Sequence, residues 1–308
     1  MPEATSGEIE RGVFVECDEM RFEVDQAGDP AGDHLALFLH GFPELNFAWR
    51  YQLPVFAERG YKAWAPNQRG YGRSSRPLGI RNYAMNHLMD DVTRLIDASG
   101  CSKVTLIAHD WGGVVAWSYA MLGERPIERL IAMNIPHPVR MQAGQRSLRQ
   151  LRKSWYAYFF QLPKLPERIL GARHAEAIGR MFRETSGDPS RFPDDVVQVF
   201  RDNAAQPGAL TAMINWYRAM RYQPREFRDA MASPPIIRVP TLMLWGENDV
   251  ALGKELTFGT DELVEDLTLR YFPGVSHWIQ QEEPEAVNAA VEAWLDGQEV
   301  PEFTRRDL

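Results

Sequence analysis

Residues 104–116 read Val104-Thr105-Leu106-Ile107-Ala108-His109-Asp110-Trp111-Gly112-Gly113-Val114-Val115-Ala116. A β-branched apolar run gives way to a His-Asp pair, and small residues then open an amphipathic helix. This is the strand–sharp turn–helix context of a nucleophile elbow. The turn holds its tip residue in a strained backbone conformation, and only small residues such as Ala108 and Gly112 fit two positions away. The tip is a carboxylate, Asp110, where serine is the familiar occupant. Read alone, Asp110 could equally be a helix N-cap.

The carboxylate changes the chemistry. A serine attacking an sp³ carbon makes an ether, which such a site cannot hydrolyse. An aspartate attacking the same carbon makes an ester, which water and a base can cleave. The elbow therefore points to an epoxide or a carbon–halogen bond as substrate rather than a carboxylic ester or peptide.

Other buried runs frame this one. Leu35–Leu39 ends in His40-Gly41-Phe42-Pro43-Glu44, and Ala63–Pro66 is followed by Asn67-Gln68-Arg69-Gly70-Tyr71-Gly72-Arg73-Ser74. Leu130–Asn134, Pro240–Trp245 and Leu267–Phe272 complete the set, and residues 11–28 read as two short strands. Helical patterns over 87–99, 110–122 and 284–295 alternate with the runs. The rhythm predicts an α/β fold with a mostly parallel sheet flanked by helices on both faces. Sites in such sheets form at the carboxyl ends of the strands.

From Val139 to Ser233 the strand runs stop, and the chain becomes helical and rich in aromatics, Arg and Met. This predicts a core of residues 1–138 and 234–308 with an inserted helical cap, or lid, over 139–233. The whole chain has 308 residues and a formal charge of −8, with a pI near 5.5. That sum argues against nucleic acid or an anionic membrane as partner, and no compact basic stripe stands out against it. The N-terminus is acidic and lacks the apolar core of a secretory signal. No run approaches the roughly twenty apolar residues that a membrane span needs. With Cys17 and Cys101 alone, neither a disulfide framework nor a zinc site is expected, and a reducing cytoplasm is.

Asp110, Asp249 and His277 follow three separate strands in the chain order nucleophile, acid, histidine. Glu247 is a rival for the acid. With these residues in place, residues 11–296 resemble the epoxide hydrolases of the α/β-hydrolase fold. The resemblance is carried by His40-Gly41-Phe42-Pro43-Glu44, Arg69-Gly70-Tyr71-Gly72-Arg73-Ser74, His109-Asp110-Trp111-Gly112-Gly113 and Gly274-Val275-Ser276-His277-Trp278. It implies that Asp110 attacks the epoxide carbon while two cap tyrosines, Tyr156 and Tyr217, hold and protonate the ring oxygen. Tyr158 is the rival for Tyr156. His277, oriented by Asp249, would activate water against the ester, with the N–H groups of Phe42 and Trp111 as an oxyanion hole. Such donors are typically worth about 3–4 kcal/mol each.

The product would be a vicinal diol, with no cofactor or metal required. Trp155, Phe159, Phe160, Met213 and Trp216 are candidate linings for a pocket that takes a small apolar epoxide and water. Two alternatives share these residues. A haloalkane or haloacetate dehalogenase would use the same Asp110, and a non-catalytic binding protein would use the fold alone. Against the first, no Asn follows Gly41 and no Arg follows Asp110. Either a monomer or a homodimer is compatible with the chain.

Overall fold

The elbow strand lies within an eight-stranded sheet ordered β1-β2-β4-β3-β5-β6-β7-β8. The computed structural model describes residues 7–308. Met1–Ser6, which belong to the stretch read above as no secretory signal, lie outside the described residues. The strands are β1 Glu10–Cys17, β2 Met20–Ala27, β3 His34–Leu39, β4 Lys62–Pro66, β5 Lys103–His109, β6 Arg129–Met133, β7 Thr241–Gly246 and β8 Leu267–Phe272. Pairing is antiparallel only where β2 joins β1 and β4. From β4 through β8 every pair is parallel, with Leu37 opposite Leu106 and Ala108 opposite Ala132.

Strands β3, β5, β6 and β7 are buried almost throughout, which is why they read as continuous apolar runs rather than alternating ones. Helices α1 (Leu53–Glu58), α2 (Met85–Ser99) and α3 (Asp110–Leu122) intervene between strands. Two apolar clusters result, one on each face of the sheet. The larger is built around α2, α3 and the cap, and the smaller takes α1 and the C-terminal helix.

Between β6 and β7 every regular element is helical. These are α4 Pro138–Gly144, α5 Leu148–Lys153, α6 Trp155–Phe159, α7 Leu165–Thr185, α8 Asp194–Ala205, α9 Ala209–Ala219 and α10 Arg225–Ala232, with short 3₁₀ turns among them. Helices α11 (Ile279–Glu282) and α12 (Pro284–Leu295) close the chain. Among the described residues no helix is long and apolar enough to cross a membrane.

The helical insertion is fixed to the core through the loop after β4. The Trp216 indole N–H donates to the Arg69 carbonyl at 3.1 Å, and the Asn203 amide oxygen accepts from Gly72 N–H at 2.9 Å. Arg69 is itself immobilised by a buried two-pronged pair with Asp91, at 2.7 and 2.6 Å. Such a fork fixes both planes at once.

Candidate active site

Asp110 is the first residue of α3 and sits at φ +48°. A non-glycine residue held there is strained and persists only when its surroundings over-determine it. They do. A Cβ on Gly112 would meet the Leu39 carbonyl oxygen at 2.1 Å, and one on Gly113 would meet the Ile135 side chain at 2.1 Å. One on Gly41 would lie 2.4 Å from Asp110 Cβ. The small residues of both motifs are thus required by close approach around the carboxylate.

Its two oxygens have different neighbours. Oδ1 accepts the Phe42 N–H at 2.7 Å, whereas Oδ2 lies 3.5 Å from His277 Nε2. On the other side of the imidazole, His277 Nδ1 is 2.6 Å from Asp249 Oδ2. Asp249 is nearly inaccessible, and its Oδ1 accepts from Ala251 and Leu252 N–H at 2.7 and 2.8 Å. Its Oδ2 takes a further bond from Asn134 Nδ2 at 2.8 Å. Glu247, the rival acid, instead pairs with Lys254.

The charges follow from this arrangement. Burial disfavours the cationic imidazole, but Asp249 and Asp110 outweigh that and hold His277 well above its ordinary pKa. Both carboxylates suffer desolvation yet are held below the usual range, mainly by His277. The resting site is therefore a buried carboxylate–imidazolium–carboxylate row.

Above it stand the aromatics of the cap. Tyr156, on α6, and Tyr217, on α9, have ring centroids 6.0 Å apart, and both face the cavity that reaches Asp110. Desolvation, reinforced by the Asp110 charge, pushes both phenols well above their ordinary pKa, so each stays a proton donor. Tyr158 lines the same cavity at its exposed rim. Trp111 packs edge-on against Tyr217 at 4.9 Å.

The cavity holds about 710 Å³, a volume typical of small-molecule sites. None of the five residues expected to line it does so. Met213 and Trp216 are buried on the inner side of α9, where Trp216 makes its bond to the core loop. Phe160 is wedged behind the site between Phe42 and Tyr217, at 5.3 and 4.9 Å, Phe159 packs on Phe160, and Trp155 faces solvent. The apolar lining comes instead from Met85, Val114, Ile135, Met141, Phe227 and Met231.

Three supporting residues escaped the sequence reading. Asn134, at φ +43°, holds Asp249 with its amide N–H and accepts from Gly246 N–H at 2.8 Å with its oxygen. Glu44 is fully buried and joins the loop after β3 to the end of β5 and to α11, through Gly41 N–H, His109 Nδ1 at 2.7 Å and the amides of Gln280 and Gln281. His109 Nε2 in turn contacts the His277 carbonyl at 2.8 Å. Glu282 accepts from the Ser276 hydroxyl and N–H and from Gly187 N–H in the helical insertion. The one available signal was position, since Asn134 and Glu44 also follow strands β6 and β3. His40 is buried and tied to the neighbouring loops, its Nε2 accepting from Gln68 N–H and its carbonyl from the Gln68 side-chain amide, and burial lowers its pKa to about 4. Among the described residues no cluster of His, Cys, Asp and Glu could hold a metal ion.

Comparison with known proteins fits this geometry. A family model for the alpha/beta hydrolase fold matches residues 37–284. The chain is 37% identical over 287 residues to the AB hydrolase superfamily protein YfhM of Bacillus subtilis, covering 92% of this chain and 98% of that one. It is 33% identical over 287 residues to Epoxide hydrolase 2 of Caenorhabditis elegans, covering 92% and 79%. The crystal structure of Epoxide Hydrolase A from Mycobacterium thermoresistibile superposes with a TM-score of 0.80 at 28% identity, covering 96% and 100%.

Proposed function

The chain belongs to the α/β-hydrolase fold family and to the epoxide hydrolases within it, and we propose that it turns epoxides into vicinal diols through an ester on Asp110. In the first half, Asp110 Oδ2 attacks a ring carbon, the C–O bond breaks, and the departing oxygen takes a proton from the Tyr156–Tyr217 pair. Oδ1 remains on the Phe42 N–H and becomes the ester carbonyl. The assignment of the two oxygens rests on their neighbours, since Oδ1 is already engaged by a backbone donor and Oδ2 is not.

The second half follows from the loss of charge. Once Asp110 is an ester, one of the two carboxylates that hold the proton on His277 is gone, so the imidazole pKa falls; His277 gives that proton to the tyrosinate left by ring opening and becomes a neutral base. His277 Nε2 then takes a proton from water attacking Asp110 Cγ. Negative charge gathers on Oδ1, where the N–H groups of Phe42 and Trp111 receive it. Collapse breaks the Cγ–Oδ2 bond, and Oδ2 leaves on the substrate carbon, taking the remaining proton of the attacking water to become the second hydroxyl of the diol and leaving Asp110 as a carboxylate. Asp249 keeps the imidazole oriented and stabilises its charged form. The proton that His277 takes from water restores its resting charge.

The substrate side of this reading rests on a cavity lined by aliphatic and thioether side chains, which favours a small apolar epoxide with water as co-substrate. Methionines at three of those positions can adjust to different shapes. No cofactor or metal enters any step. Both cysteines are free, which supports a reducing, cytoplasmic setting.

The observation that carries the proposal is the strained Asp110 carboxylate set between the Phe42 N–H and His277. Replacing Asp110 by Ala is expected to lower diol formation from terminal and internal epoxides by at least about 10⁴-fold. The His277→Gln enzyme is expected to accumulate protein heavier by one substrate molecule, seen by intact mass spectrometry. Diol made at an undiminished rate by Asp110→Ala would remove the nucleophile from this account.

A further inference from the structure

The chain's charge is divided very unevenly. Residues 139–233 hold sixteen of the 34 Lys and Arg but only nine of the 42 Asp and Glu. The insertion therefore carries +7 and the remainder −15. No acidic residue occurs between Glu128 and Glu167, a stretch with seven cations. Among the described residues, Arg146, Arg152 and Lys164 have no acidic side chain within 4 Å.

The same stretch exposes large apolar side chains. Leu148 and Trp155 are 75% and 63% exposed, and Tyr158, Leu162, Leu165 and Ile169 are exposed too. Helical spacing puts Leu148 with Arg152, Trp155 with Tyr158, and Leu165 with Ile169 on shared outward faces. This face borders the entrance to the active-site cavity. Tyr158 and Gln161 form one part of the rim, and Met220 and Arg221, from a second cationic segment, form another.

We propose that this face of the cap, residues 146–169 with the adjoining Met220–Tyr222 turn, seats on an anionic lipid surface with the cavity mouth turned toward the lipid. The overall charge of −8 argued against such a partner, but charges more than about 8 Å apart are largely screened at physiological salt. A surface responds to the patch it touches, not to the sum. Arg and Lys heads reach lipid phosphates while their stems lie along apolar neighbours. Trp and Tyr favour the same interfacial zone, and exposed Leu and Ile gain by shallow burial. The acidic remainder is repelled by the lipid, which leaves one favourable orientation. In that orientation an apolar epoxide dissolved in the bilayer enters the cavity without first crossing water. The partner needs no helix across the membrane, only one lying against it.

Co-sedimentation with vesicles tests this separately from diol formation. The wild type is expected to pellet with phosphatidylcholine vesicles that contain phosphatidylserine, not with phosphatidylcholine alone, and to be released by added salt. Each basic residue near the surface contributes about fivefold, so Arg146→Glu with Arg152→Glu is expected to weaken binding at least about 25-fold. Leu148→Ser is expected to weaken it by a smaller factor. Both variants should convert a water-soluble epoxide at the wild-type rate, which establishes that they fold. Failure of the wild type to pellet with anionic vesicles at low salt overturns the proposal, as does equal pelleting by the double variant. A wild type that dimerises in gel filtration while the double variant stays monomeric would also overturn it, by assigning the face to a second copy of the chain.

Discussion

The loops at the strand ends and the helices above them contribute to one cavity in opposite ways. Below, position is over-determined by polar contacts. Asp249 receives three hydrogen bonds besides its contact with His277, and Glu44 is bonded to the loop after β3, the end of β5 and α11. Above, Tyr156 and Tyr217 are placed by aromatic packing, with Phe160, Phe42 and Trp111 as neighbours. Hydrogen bonds fix an atom's direction, whereas packed rings fix a volume and tolerate small displacement. A nucleophile and its base need the first kind of control. Donors that must follow a departing oxygen can work with the second.

Substitutions in the two regions should separate these modes. On the proposed route, Tyr156→Phe and Tyr217→Phe each remove one donor and are expected to lower kcat/KM by about 10²-fold. Tyr158→Phe, at the exposed rim, should change it by less than about threefold. Equal losses from Tyr156→Phe and Tyr158→Phe in steady-state kinetics would break the distinction between them.

A milder change probes the charge row. Asp110→Asn removes one of the two carboxylates that raise the pKa of His277, so the imidazole should titrate at lower pH by NMR. The sign extends to stability. His277 is raised from 6.5, so its contribution is complete below that pH and declines as pH rises through the folded value. Asp110 and Asp249 are lowered from 3.8, so theirs is present above that pH and lost as pH falls further. Thermal melts against pH should show a shallower alkaline decline in Asp110→Asn than in the wild type. An unchanged His277 titration would contradict the row.

The smallest expected effect on turnover comes from Met213→Ala. Its side chain is wholly buried in the core of the insertion, so the change should cost about 2–5 kcal/mol of stability. Substrate ranking should stay as in the wild type. A reordered ranking from the same epoxide panel would return Met213 to the cavity wall.

These contrasts also explain what could be read in advance. Strands β3, β5, β6 and β7 were legible because full burial leaves continuous apolar runs, and the ends of β5 and β7, with that of β8, brought Asp110, Asp249 and His277 into chain order. The cap tyrosines were half legible. Tyr156 and Tyr158 lie two apart on one helix, on nearly opposite sides of it, so only one can pack beside Tyr217 while the other reaches the same cavity at its exposed rim. Sequence does not say which. The lining of the cavity was not legible, because α9 is buried on nearly every side, and an aromatic such as Trp216 reads the same facing the core or the substrate. Asn134 was passed over for a related reason. Asparagine cannot act as the acid, yet it holds the acid, and that partnership spans 115 residues.

The most direct test of the central claim follows one oxygen atom. In a single turnover with enzyme in excess, run in ¹⁸O-water, the proposed ester route puts the solvent oxygen into the Asp110 carboxylate and leaves the diol unlabelled. Mass spectrometry of the peptide containing Asp110, beside that of the diol, reads both. Label in Asp110 and none in the diol is the expected result. Label in the diol from the first turnover, with Asp110 unlabelled, would mean that water attacks the epoxide directly and that no ester forms.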